Sequence, residues 1–135
     1  TMRRYPPLPV IPRMATADFE WAGYEIPAGS MVVVSPIHTH HMPEWWSDPF
    51  RFDPERFAPE RAEDARHGHA WVPFGGGPHH CLGFRFAELQ IKAILHQMVR
   101  RFRWSVAPGY TMPVQQAPIS KPMDGLPLRV DPLFG

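Results

Sequence analysis

Eighteen prolines and ten glycines, spread through 135 residues without a period, limit how this chain can fold more than any other feature. The lack of a period excludes collagen-like and low-complexity structure. With 44% hydrophobic and 13% aromatic residues, we expect a packed protein with many turns and long ordered loops. Such loops normally need a rigid scaffold or a bound cofactor to stay ordered.

Length, charge and cysteine content narrow the classes of protein further. The chain is long enough for one modest core. A net charge of +1 gives no sign of bulk binding to nucleic acid, and a single cysteine excludes an internal disulfide, which suits a reducing cytosol. The sequence shows no signal peptide and no apolar run long enough to cross a bilayer.

Short strands are predicted before residue 36, and a loop region after it. Residues 1–5 resemble the last turn of a helix, stopped by two prolines. We expect a strand from Arg13 to Gly23, then a turn at Pro27–Gly29 and a buried strand from Ser30 to Ser35. Between residues 38 and 70, four prolines and scattered aromatic residues predict one short helix followed by a meandering loop.

One long helix is predicted in the second half of the chain. Apolar residues recur at spacings of three and four from Ala87 to Phe102, which predicts an amphipathic helix over about residues 83–102. The remainder, Trp104 to Val130, is expected to form short strands and turns. Asp124-Gly125 is a hairpin signal before a strand at residues 126–130.

The only cysteine, Cys81, ends a glycine-rich loop directly before this long helix. Three successive glycines, residues 75–77, let the backbone bend and approach a large flat object that side chains would hold away. A thiolate at this position would lie near backbone N–H groups and the positive end of the helix dipole, which stabilise negative charge. Most lone cysteines are small inert hydrophobes, but these surroundings favour a metal ligand.

The spacing F-x-x-G-x-H-x-C-x-G, filled by Phe74, Gly77, His79, Cys81 and Gly83, resembles the proximal haem loop of cytochrome P450 monooxygenases. The resemblance implies that Cys81 is the axial ligand of a haem iron and the catalytic residue of the chain. It implies haem b (iron protoporphyrin IX) as cofactor and dioxygen as co-substrate. The implied reaction inserts one oxygen atom into an apolar organic substrate, with electrons supplied from outside.

A second motif, Phe52–Phe57, resembles the P-E-R-F box of the same family. There the arginine joins a buried ion-pair cluster with a Glu-x-x-Arg pair on an earlier helix. The resemblance implies a structural cluster of Arg3 and Arg56, with its glutamate one residue before Thr1. Taken alone, each arginine would be an ordinary surface residue. We therefore expect residues 1–135 to be the C-terminal portion of a single catalytic domain, without its N-terminal part.

The resemblance also implies the fold class and a set of residues that contact the haem. The expected fold is mainly α with small β-sheets: the end of one helix, short strands, the meander loop, the cysteine loop, the long proximal helix and C-terminal hairpins. Arg13 and His79 are expected to bind the haem propionates; the alternative for Arg13 is a solvated strand end. Phe74 would pack beside the sulfur, or be a plain core residue. The remaining expected contacts are Gly75, Gly83 and Ala87.

Four apolar residues are expected, by the same resemblance, to contribute to a substrate pocket: Val10, Ile11, Pro118 and Ile119. They suit a lipid, terpenoid, steroid or aromatic substrate. The acid–alcohol pair of the family's distal helix has no counterpart in this chain, so we expect the isolated chain to hydroxylate poorly.

Electrons must come from another protein, because the sequence contains no flavin or iron–sulfur motif. The implied partner is a ferredoxin or a flavodoxin-like donor with its NAD(P)H reductase. A cationic surface would steer such an acidic donor; the alternative is a solvated helix face without a partner. The candidate cations are Arg66, Arg85, Lys92, Arg100 and Arg101. A cytoplasmic, bacterial location is expected.

Two other functions compete with this interpretation. A zinc module would use histidines near Cys81, but one cysteine and scattered histidines match zinc spacings poorly. The histidines concerned are His38, His40, His41, His67, His69, His79 and His80. A catalytically incompetent haem-binding remnant is the other alternative, because a haem loop can persist without a distal half.

Overall fold

A computed structural model describes residues 1–134. Within them the chain forms eight short strands and two α-helices: β1 (Ile11–Met14), β2 (Phe19–Trp21), β3 (Tyr24–Ile26), β4 (Met31–Val34), α1 (Pro36–Thr39), α2 (Phe84–Arg101), β5 (Phe102–Ser105), β6 (Val114–Gln115), β7 (Lys121–Pro122) and β8 (Arg129–Pro132). Short 3₁₀ turns cover Pro54–Phe57, Glu63–Ala65 and Gly77–His79. None of the helices described is both long and apolar enough to span a membrane.

The N-terminal strands form two antiparallel pairs, β1 with β4 and β2 with β3. The single strand predicted from Arg13 to Gly23 is therefore wrong, because the chain leaves the first pair after Met14. The reason is local: the Asp18 carboxylate accepts the N–H of Ala28 at 2.7 Å, and the Ala15 carbonyl accepts that of Gly29 at 2.8 Å. These bonds bend the segment between β1 and β2.

Strand β4 forms where predicted but is not buried. Met31 is 69% exposed, and Val33 and Val34 are about half exposed. Its sheet has only two strands, and these exposed fractions show that other parts of residues 1–134 cover the three side chains only partly. The run of apolar residues indicated the strand correctly and its burial wrongly.

The C-terminal strands pair differently from the local hairpin that Asp124-Gly125 predicts. β8 pairs with β5, so that Phe102 lies opposite Pro132, while β6 and β7 form the local hairpin. The turn itself exists, since Gly125 has a φ of +76° and the Asp124 carboxylate accepts the N–H of Leu126 at 3.0 Å. It connects strands of two different sheets.

The core lies in the meander between residues 40 and 71 rather than under a helix. Trp46 is completely buried, and its ring centroid lies 5.8 Å from that of Phe57 and 6.3 Å from that of Trp71. The ring of His40, also fully buried, stacks on Trp71 at 5.3 Å. The long helix α2 begins within one residue of its prediction, but none of its described side chains is buried.

Candidate functional site

The cysteine loop is closed by its own backbone. The N–H of Cys81 donates to the carbonyl of Phe74 at 3.1 Å, and the N–H of His80 donates to that of Gly77, also at 3.1 Å. Gly75 and Gly77 have φ angles of +76° and +61°, a left-handed conformation that glycine adopts without strain. The glycines therefore bend the chain back so that the cysteine lies at the neck of the loop.

Cys81 lies exposed just before helix α2. Its carbonyl accepts the N–H of Phe84 at 3.4 Å, and Gly83, at the N-cap, offers no side-chain cap. The first N–H groups of a helix have no intrahelical acceptor, and the helix dipole favours negative charge there. A β-carbon added at Gly83 would lie 4.0 Å from the cysteine sulfur. An exposed thiol with an open approach suits a thiolate ligand and not an inert core residue.

Aromatic rings pack along the inner side of this loop. The ring of Phe74, half-buried, lies 6.2 Å from that of Phe84, and the His80 ring meets the Phe84 ring edge-on at 4.6 Å. Ala87 is half-buried one turn into α2, where its N–H donates to the Gly83 carbonyl at 2.9 Å. Phe84 was not among the predicted residues; an aromatic residue at the first position of the helix was the available signal.

A cleft of about 360 Å³ lies between the β1–β4 pair and the glycine loop. Three predicted residues, Arg13, Gly75 and His79, line it together. Phe74, Cys81, Gly83 and Ala87 do not, because they belong to the neck of the loop and the start of α2. The other lining residues are Ile11, Val34, Pro36, Thr39, His69, Val72, Gly76 and Gly77.

The four residues predicted for a substrate pocket are not gathered in one cavity. Ile11 lines the cleft, whereas Val10 is 41% exposed. Pro118 and Ile119 lie at the exposed tip of the β6–β7 hairpin. That tip is tied to the first residues of the chain, because the Ser120 hydroxyl donates to the Pro6 carbonyl at 2.9 Å.

Both predicted cluster arginines are buried, and the structure supplies a carboxylate that the sequence did not reveal. Arg56 donates to Glu63 Oε2 at 2.6 Å and to the Ser47 carbonyl at 2.9 Å. Arg61 binds the other carboxylate oxygen of Glu63 at 2.7 Å. Burial raises the pKa of Glu63, but hydrogen bonds from Arg61 and Arg56 outweigh it, so the pKa lies below its ordinary value.

Arg3 is satisfied by backbone carbonyls rather than by a carboxylate. It donates to the carbonyls of His40 and Pro49 at 2.5 and 2.6 Å, and its guanidinium lies 5.2 Å from the ring centroid of Trp46. Burial, followed by the nearby charge of Arg56, lowers the pKa of Arg3 to about 10. The glutamate predicted before Thr1 lies outside the sequence.

His40 links this cluster to the segment that leads into the cysteine loop. Its Nε2 accepts the N–H of Val72 at 2.9 Å, and its carbonyl accepts Arg3. Burial lowers the pKa of His40 to about 4, so the ring is neutral at physiological pH. Nδ1 then carries the hydrogen and has no hydrogen-bond partner among residues 1–134.

The structure does not support the zinc module. Among the described residues, no group of three or more His, Cys, Asp or Glu side chains could hold a metal ion. The histidines are used elsewhere: His40 stacks on Trp71 and His67 stacks on Trp45 at 4.8 Å.

The family model described as cytochrome P450 matches residues 1–128. The chain therefore belongs to the cytochrome P450 family of haem-containing monooxygenases, and its fold is the C-terminal part of the P450 fold.

Individual relatives agree with this assignment. The chain is 42% identical over 107 residues to a sterol 14alpha-demethylase of Mycolicibacterium vanbaalenii, covering 79% of this chain and 24% of that protein. It is 39% identical over 132 residues to a beta-amyrin 28-monooxygenase of Saponaria officinalis, covering 97% and 26%. The retinoic acid-bound cyanobacterial CYP120A1 superposes with a TM-score of 0.90 at 33% identity, over 98% of this chain and 30% of that one. The chain thus spans about a quarter of the length of the curated relatives it matches.

Proposed function

We propose that this chain supplies the cysteine-bearing side of a haem-thiolate monooxygenase that inserts one atom of dioxygen into an apolar organic substrate. The observation that carries the proposal is the position of Cys81. Its exposed thiol lies at the neck of a closed glycine loop and at the start of an 18-residue helix. Membership of the P450 family, with relatives named as a demethylase and a monooxygenase, supports the same reaction class.

The proposed cofactor is haem b, and the residues present fit it. Cys81 would ligate the iron as a thiolate, stabilised by the N-terminal end of α2. When bound, the haem supplies oxygen activation, which an electron-donating thiolate ligand favours. Gly75, Gly83 and Ala87 leave room for a flat macrocycle.

Two further groups of side chains would act on the cofactor. Phe74 and its neighbour Phe84 would keep water away from the sulfur, which helps to set the potential of a metal site. Arg13 and His79 line the same cleft and would bind the haem carboxylates. A guanidinium is suited to this because it can form two parallel hydrogen bonds to one carboxylate.

The proposed substrate is apolar, of the steroid or terpenoid class. Two relatives are named for a sterol and for beta-amyrin, which supports this choice over a polar substrate. In this chain Val10, Ile11, Pro118 and Ile119 are the candidate contacts. Val10 and Ile119 are 41% and 56% exposed, as a surface that receives an apolar molecule would be.

We propose a ferredoxin or flavodoxin-like electron donor, with its NAD(P)H reductase, which binds at helix α2 in a bacterial cytoplasm. Arg85 and Lys92 lie at helical positions roughly 20° apart, so they form one exposed stripe that begins at the cysteine end. Arg100 lies near the stripe and Arg101 on the opposite side. Arg66 is engaged elsewhere, since it donates to the Trp45 carbonyl at 3.0 Å. If this stripe steers the donor, the rate at which the donor reduces the haem protein must fall as salt is added.

The test is the absorption spectrum of the full-length protein with Cys81 replaced. The unsubstituted protein is expected to show an intense Soret band and a red-shifted complex of the reduced haem with carbon monoxide. Cys81→His offers a different iron ligand and is expected to retain haem but lose the red shift. Cys81→Ala is expected to lose most of the haem. An unchanged spectrum in both variants would overturn the proposal.

A further inference from the structure

The titratable side chains that line the cleft beside the glycine loop are arginine and histidine, and none of them can carry a negative charge. Its titratable members are Arg13, His69 and His79, and none of the described residues that line it is Asp or Glu. Arg13 comes from β1, His79 from the glycine loop, and His69 from the end of the meander. Three separate segments of the chain therefore bring hydrogen-bond donors to one concave surface without a carboxylate to neutralise them.

The backbone of His69 is held by a hydrogen bond to the side chain of His67. Its backbone N–H donates to His67 Nδ1 at 3.1 Å, and the His67 ring stacks on Trp45 with centroids 4.8 Å apart. The His67 and His69 rings lie 5.8 Å apart. The backbone at residue 69 is thus held by His67, and His69 lines the cleft.

The His69 ring lies close to Gly76 of the glycine loop. A β-carbon added at Gly76 would be 3.9 Å from His69 Cδ2, an ordinary van der Waals distance. The φ of Gly76 is −161°, which any residue adopts. Neither conformation nor a clash requires glycine here; the short distance shows that His69 lies beside the loop that carries His79.

We propose that His69 donates an N–H to a carboxylate bound in this cleft, as a third donor beside Arg13 and His79. This inference rests on the proposed function, under which the carboxylate is one of the haem's own. A carboxylate has about four lone-pair sites, so two donors leave acceptor capacity for a third. The neighbouring titratable groups are the Arg13 guanidinium and His79, which line the same cleft, and His67, whose ring lies 5.8 Å from that of His69.

The test compares His69→Phe with His69→Gln in the full-length haem protein. Phenylalanine keeps a planar ring and removes the donor, whereas glutamine keeps an N–H. The measurement is the rate at which haem passes to excess apomyoglobin, made once with iron protoporphyrin IX and once with its dimethyl ester, whose carboxylates are blocked. His96→Phe, an exposed histidine on α2 that does not line the cleft, is the matched control.

With natural haem, His69→Phe is expected to lose haem roughly five-fold faster than the unsubstituted protein, while His69→Gln and His96→Phe stay close to it. With the dimethyl ester, the difference for His69→Phe should disappear. An unchanged rate with natural haem, or the same acceleration with both porphyrins, would overturn the role of His69. The proposed function would survive either result as long as each variant kept the red-shifted carbon monoxide complex.

Discussion

Arg3 and Arg56 donate to the same acceptor, the backbone carbonyl of Arg51, at 3.3 and 3.2 Å. Two like charges are thus held close together, and the charge of Arg56 contributes to the low pKa of Arg3. The pair is tolerated because carbonyl oxygens and the Glu63 carboxylate surround it. The contact fastens the first residues of the chain to the meander that carries the cysteine loop.

Arg3→Lys is expected to lower the free energy of unfolding by about 2–3 kcal/mol. The compact ammonium group of lysine cannot reproduce the planar guanidinium's hydrogen bonds to three carbonyls. Denaturant unfolding of the full-length protein measures this. Arg4→Lys is the matched control, since the adjacent Arg4 is half-buried and lies over the ring of Tyr5, at 5.9 Å. Equal losses in both variants would contradict a special role for Arg3.

Glu63→Gln is expected to lower the free energy of unfolding by about 3–5 kcal/mol, the usual range for removing one partner of a buried ion pair. Glutamine keeps the shape of the side chain and removes the charge that balances buried Arg56 and the nearby Arg61. The same denaturation experiment applies, with exposed Glu60→Gln as control. A loss below about 1 kcal/mol would show that the backbone carbonyls satisfy Arg56 without Glu63.

His40 is expected to make stability depend on pH below neutrality. In the unfolded chain a histidine takes up its proton near pH 6.5, whereas buried His40 does so only near pH 4. Between these values the unfolded state binds more protons, so stability is complete above pH 6.5 and falls as the pH falls toward 4.

His40→Gln tests this dependence, because the amide oxygen can still accept the Val72 N–H but does not titrate. Unfolding free energies should be measured at several pH values across that window. The glutamine variant is expected to give a flatter profile, while His38→Gln, at an exposed histidine, should keep the original one. A His40→Gln profile as steep as the original would assign the acid sensitivity to another group.

Gly77→Ala is expected to destabilise the cysteine loop by about 1–2 kcal/mol, because its φ of +61° is costly for a residue with a β-carbon. No atom lies within 4 Å of the added methyl, so the cost is confined to the backbone. Gly76→Ala, one residue earlier and in an extended conformation, is the control and should lower the free energy of unfolding by less. Unfolding free energies that fall equally would argue against a conformational requirement at residue 77.

Features that depend on neighbouring residues could be predicted from the sequence. The 3.6-residue period located α2 to within a residue, and the spacing around Cys81 located the loop, because both are local patterns. The buried positions of Arg3 and Arg56 came from the resemblance and not from their residue type.

Features that depend on distant residues were missed or misread. The partner of β8 is β5, and a turn signal at Asp124-Gly125 cannot indicate a pairing with a strand more than twenty residues earlier. Glu63 stands in a charged stretch of sequence where a buried carboxylate has the same appearance as a solvated one. His69 was one of eight histidines, and only the cleft separates it from the others.

The arginine network has a consequence for biosynthesis. Every donor and acceptor that it uses lies between residues 3 and 63, so the ribosome delivers all of them before residue 81 is translated. Since the chain leaves the ribosome from its N-terminal side, this support can assemble before Cys81 emerges. Binding of the proposed haem would then follow the folding of the arginine cluster.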